Sequence, residues 1–234
     1  MNNGIVFLHR LKSEQIEPRI TEVYRYAGIS IPNLFSNPTE KNYNPSSNYL
    51  NDMDSMINDA IKEISSKMNC RSAYIRFPLK INLLDSDKQI SELCFAEKKI
   101  KSHSLYLNLK ECHSIYLFAA TLGPEVDKII QRNSKVNPAK AIILQAAAAM
   151  FIEEYCDLLQ NHLLLQEKSE NNILNPRFSP GYGDINLNVQ KIFFEFSKAL
   201  SMICFREYVP SLPVNFVLNA PKVFVFTIFE PARK

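Results

Sequence analysis

A chain of 234 residues, 46% hydrophobic and 22% charged, is long and apolar enough to bury a sizeable core, which excludes an intrinsically disordered protein. The formal net charge is only +3 and no basic run exceeds a few residues, so no surface for tracking phosphates, and no nucleic-acid partner, is expected. Cys70, Cys94, Cys112, Cys156 and Cys204 are widely spaced without a CxxC pair, and no segment reaches the roughly 18 apolar residues of a membrane span. A cytoplasmic protein with reduced thiols and no membrane partner is expected.

From Ser13 to Gly28, the residues Ile16, Ile20, Val23, Tyr24 and Ala27 recur at the helical period, and Gly28 supplies a stop. Residues 32–48 concentrate Pro, Asn and Ser, the composition of a loop. Leu50, Met53, Met56, Ile57, Ile61 and Ile64 then form one apolar stripe, which predicts a helix over 48–68. Ile75, Phe77, Leu79 and Ile81 alternate with Arg76 and Lys80, the period of a strand with one solvated face. A second short strand is expected over 91–96, and a polar helical turn over 103–111. The nearly continuous apolar run from Ile115 to Thr121, ended by Gly123-Pro124, predicts a buried strand, with a helix over 124–134. Residues 138–165, which include the tetra-alanine Ala146 to Ala149, read as the most buried helix. Small residues there permit close approach by a neighbouring helix or by a ligand. A loop over 167–186 follows, then an amphipathic helix marked by Ile192, Phe193, Phe196 and Leu200, and two strands within 213–230 around Asn219-Ala-Pro221. This order lacks the alternation of a doubly wound sheet and predicts an α+β fold, with helices packed on a largely antiparallel sheet.

Candidate functional residues gather in Asn175-Pro-Arg-Phe-Ser-Pro-Gly-Tyr-Gly-Asp184. Pro180-Gly181 suits the centre of a type II turn, and Gly183 frees a further bend. Two readings stand side by side. Arg177 offers a fork of donors to a carboxylate or phosphate, with the Tyr182 ring beside it; or the segment is an ordered loop before a helix capped by Asp184 or Asn186. Glu153 and Asp157 lie four apart in an otherwise apolar helix, and they are either counter-charges for a cationic ligand or, with Glu154, a solvated edge. His9, His103, His113 and His162 form no ligand pattern, so no metal is expected. With no GxSxG, P-loop or GxGxxG sequence, no catalytic side chain is assigned.

Three stretches in the same order resemble the activation domain of cobalamin-dependent methionine synthase, in its free-standing bacterial form. They are Val23-Tyr-Arg-Tyr-Ala-Gly28; Leu117-Phe-Ala-Ala-Thr-Leu-Gly-Pro-Glu-Val-Asp127 leading to Ala146-Ala-Ala-Ala-Met-Phe-Ile-Glu-Glu-Tyr-Cys-Asp157; and Arg177-Phe-Ser-Pro-Gly-Tyr-Gly-Asp184 followed by Gln190. The resemblance spans roughly 16–200, and its most specific element is RFSPGYGD, which matches an R-x-x-P-G-Y motif of the family. It implies one C-shaped α+β domain over 1–234, with an N-terminal helical segment over 1–70 and a core over 71–234. Such a domain binds S-adenosylmethionine and supports reductive remethylation of cob(II)alamin held by a separate methionine synthase module, with a flavodoxin-type reductant. Carried over by position, Arg177 matches the arginine on the methionine part of the ligand, while Gly181 and Tyr182 match the motif residues beside it. Glu153, or Glu154 in the alternative register, matches an acidic residue on the long helix. At the C-terminus the chain departs from the family: Val214-Asn-Phe and Pro221-Lys-Val-Phe-Val-Phe226 stand where relatives carry polar residues, and near Phe229 the ligand-contacting tyrosine of the full-length enzymes is absent. The alternative is therefore a non-catalytic module that binds a cobalamin protein without using S-adenosylmethionine.

Overall fold

The computed structural model describes residues 6–29, 47–85, 90–186, 189 and 222–229. The chain is an α+β fold of helices and antiparallel sheets. It forms two compact units. One comprises Met1–Arg10, Arg71–Thr121 and Cys156–Lys234, the other Leu11–Cys70 and Leu122–Tyr155.

The first unit holds two sheets. Strands β1 (Val6–Leu11), β2 (Cys70–Pro78), β6 (Cys112–Thr121), β8 (Lys222–Phe229) and β7 (Ile173–Leu174) lie in the order β1-β2-β6-β8-β7. β3 (Lys80–Asp85), β4 (Ile90–Phe95) and β5 (Lys98–Lys101) form a separate antiparallel meander. The alternating stretch that reads as one strand over 75–81 is thus a junction between sheets. Pro78 has no N–H to continue a ladder, and the Leu79 N–H instead donates to His113 O at 2.9 Å. The β4–β5 hairpin turns on Ala96 and Glu97, both at positive φ (45° and 66°), a turn that no Gly or Asn announces. β1 likewise carries no warning in the sequence, because a six-residue strand is defined by its pairing rather than by its period.

The two faces of β6 differ. Ile115, Leu117 and Ala119, with Ile75 and Phe77 of β2, join Leu93, Phe95 and Ile100 of the meander and Leu105 and Leu109 of α3 (His103–Leu109) in one apolar core. On the other face Tyr116 donates to Glu167 Oε1 at 2.5 Å and Tyr74 to Gln166 Oε1 at 3.4 Å, both acceptors lying near the end of helix α5 (Pro138–Lys168). Covering both faces is what makes the run from Ile115 to Thr121 continuously apolar. β8 pairs with β6 along its length and with β7 only at Ile228 and Phe229. The expected strand before Pro221 and the helix near 192–200 lie outside the described residues.

The second unit is helical. The predicted helix over 13–28 is a 3-10 turn (Ser13–Gln15) followed by α1 (Ile20–Ala27), interrupted where Pro18 removes a donor and forces Glu17 away from helical angles. α2 (Ser47–Lys67) and α4 (Pro124–Val136) fall within two residues of the predicted spans. Lys140 pairs with Glu63 at 2.7 Å, and Ala146 and Ala147 of the tetra-alanine are buried. No helix of the described residues is long and apolar enough to cross a membrane.

Candidate functional site

The loop after α5 is built from its turn chemistry upward. The Tyr182 N–H donates to Ser179 O at 3.1 Å with Gly181 at φ 94°, so Pro180-Gly181 occupies the centre of the predicted turn. The Ile185 N–H then donates to Tyr182 O at 3.1 Å, and the Gly181 N–H to Ile185 O at 2.9 Å, closing a second bend. Beneath the turn, Phe178, Pro180 and Ile185 fill an apolar notch against Phe95, Ile100, Leu105 and Ile115 that is too tight for a water molecule. The loop is therefore seated in part by packing. Tyr182 is 68% exposed.

Arg177 is half-buried, and its Nη1 donates to Asp157 Oδ1 and, at 3.3 Å, to Gln160 Oε1, both on α5. A half-buried guanidinium with a carboxylate partner is fixed in orientation before any ligand arrives. The sequence offers Asp157 as a counter-charge for a ligand; in the structure it serves Arg177. The residue type was legible, but the pairing, between residues twenty positions apart, was not, and Gln160 carried no signal. In the second unit Glu154 is paired with Arg19, the residue before α1, while Glu153 is half-buried on α5.

Asp184 has a role the sequence does not announce: it reaches α3, accepting from Ser102 Oγ and the His103 N–H, each at 2.6 Å, and from the Ser104 N–H at 3.2 Å. Burial alone would raise the Asp184 carboxyl, but these donors outweigh it and hold the carboxyl below its ordinary value. Among the described residues no group of three His, Cys, Asp or Glu is placed to hold a metal ion.

This fold has a counterpart among solved structures. It is similar to the MetH reactivation domain bound to AdoHcy, with a TM-score of 0.54 and 14% sequence identity over 100% of this chain and 81% of that chain. The likeness is one of fold. No family model matches the chain, and no curated protein does.

Proposed function

We propose that the protein binds S-adenosylmethionine and supports reductive remethylation of cob(II)alamin on a separate cobalamin-dependent methionine synthase, with a flavodoxin-type reductant supplying the electron. The observation that carries this reading is the geometry of the 177–184 loop, in which one half-buried arginine and one outward-facing tyrosine flank a turn that needs Gly181 at positive φ. The neighbour in fold, bound to AdoHcy, supports the same ligand class.

The donor set fits such a ligand. A guanidinium carries five N–H donors, so Arg177 can serve Asp157 and a ligand carboxylate together. The Tyr182 ring offers an apolar or cation–π surface to the rest of the ligand. The resemblance assigns the counter-charge for the ammonium or sulfonium to Glu153 or Glu154. When bound, S-adenosylmethionine supplies an electrophilic methyl group on its sulfonium. The chain's own side chains bind and orient, and none acts as acid, base or nucleophile.

The test is reconstitution. Purified protein is mixed with a cobalamin-dependent synthase lacking its own activation domain, a flavodoxin-type reductant and S-adenosylmethionine. Recovery of methylcobalamin that collapses for Arg177→Ala supports the reading. No recovery with the wild-type protein overturns it, and binding to the cobalamin module that persists without S-adenosylmethionine and without Arg177 points to the non-catalytic module.

A further inference from the structure

The segment carrying Arg177 and Tyr182 is suspended between two anchor points on one short helix. At the C-terminal end of α3, Asn108 Nδ2 donates to Pro176 O at 3.2 Å, and Asn175 Nδ2 donates back to Asn108 O at 2.5 Å. At its N-terminal end the Asp184 carboxylate takes donors from Ser102, His103 and Ser104, while Ser102 Oγ also accepts from the Leu105 N–H at 2.9 Å. The backbone approaches as closely as the side chain bonds. A Cβ added at Gly183, which sits at φ 57°, would lie 2.5 Å from Ser104 Oγ and 2.7 Å from Ser104 Cβ. Only a glycine lets the chain rest there.

From these contacts we infer that Asp184 is a positioning residue that, with Gly183 and Asn108, latches the loop onto α3 and so sets the pose in which Arg177 and Tyr182 meet a ligand. The consequence for ligand binding rests on the S-adenosylmethionine reading above; the latch itself does not. Asp184 touches no ligand in this account and acts through the loop. Because the bonds run to a charged acceptor at a helix start, the charge matters as well as the shape. The isosteric Asp184→Asn change keeps the shape, halves the acceptor set and turns an NH2 group toward backbone donors or Ser102.

The experiment uses the full chain with Asp184→Asn, Gly183→Ala and Asn108→Ala, and it has two arms. In the first, amide hydrogen exchange is compared without ligand. Protection at Gly181, Tyr182 and Ile185 is expected to fall in the Asp184 and Gly183 variants while β2 and β6 keep theirs; unchanged loop protection overturns the latch. In the second, S-adenosylmethionine is titrated calorimetrically, and Asp184→Asn is expected to weaken binding about tenfold, the scale of hydrogen bonds to a charged group. In an Arg177→Lys background the same change is expected to add much less, because the two act through one contact. Full additivity there overturns the positioning role. If the wild-type protein binds no S-adenosylmethionine, alone or with a cobalamin module present, the ligand reading fails, and the exchange arm alone decides the latch.

Discussion

The two faces of β6 pose one packing problem and solve it with different chemistry. On one face Ile115, Leu117 and Ala119 meet the meander and α3 through apolar contact alone, all at 2% exposure or less. On the other, Tyr116 and Asn172 both donate to Glu167, at 2.5 and 2.6 Å, and the carboxylate is 4% exposed. Apolar contact is non-directional and tolerates exchange of similar volumes, whereas a buried carboxylate is stable only with its donors in place. The apolar face thus supplies stability, and the polar face fixes where the end of α5 must lie. The 175–185 segment combines both modes, with Phe178 and Ile185 packed on the apolar core and Asp184 and Asn175 bonded to α3.

The comparison breaks most visibly at its centres. Leu117→Ala leaves a cavity in a core position and is expected to lower unfolding stability by about 2–5 kcal/mol, read from the denaturant midpoint. An unchanged midpoint would mean the apolar face is not the main source of stability. Glu167→Ala strands the Tyr116 hydroxyl and the Asn172 amide, and a loss of about 1–3 kcal/mol is expected. If that variant were more stable than the wild type, the buried network would be a cost rather than a constraint. Arg177→Ala separates site from fold: the Asp157 side chain is 44% exposed, so the stability change should stay below about 1 kcal/mol while ligand binding disappears.

The smallest effect is a dependence on pH. His9 lies 4.9 Å from His162, ring centre to ring centre, and burial first, then the charge of His162, holds its pKa below the ordinary 6.5. The unfolded chain therefore takes up a proton that the folded state resists, so this contribution is absent above 6.5 and destabilises the fold as pH falls below it. Asp184 acts in a lower window: its carboxyl is depressed in the fold, so its stabilisation is complete above the ordinary 3.8 and is lost as pH falls through the folded value. Denaturation series across both windows, with His9→Asn and Asp184→Asn, separate the two; an acid response near 6.5 that survives His9→Asn would contradict the assignment.

What could be read from the sequence was what depends on neighbours along the chain. The stripe of α2, the apolar run of β6, the span of α4 and the Pro180-Gly181 turn are all set by residues a few positions apart. What could not be read depends on distant partners. Tyr116 finds Glu167 across 51 positions, Arg177 finds Asp157 across 20 and Asp184 finds the start of α3 across 81, and none of these pairings leaves a periodic trace. The candidate residues Arg177, Gly181 and Tyr182 were visible as a motif, but the carboxylate paired with Arg177 and the helix bonded to the loop emerged only once the chain was folded.

The central claim, that this loop is a ligand site and not merely an ordered turn, is tested most directly by calorimetric titration with S-adenosylmethionine of the wild-type protein and Arg177→Ala, each alone and with a cobalamin module present. Micromolar binding by the wild type, about 8 kcal/mol of free energy, that is lost in the variant is the predicted result. Binding of equal strength to both proteins, or no heat from the wild type even with the module present, would contradict it.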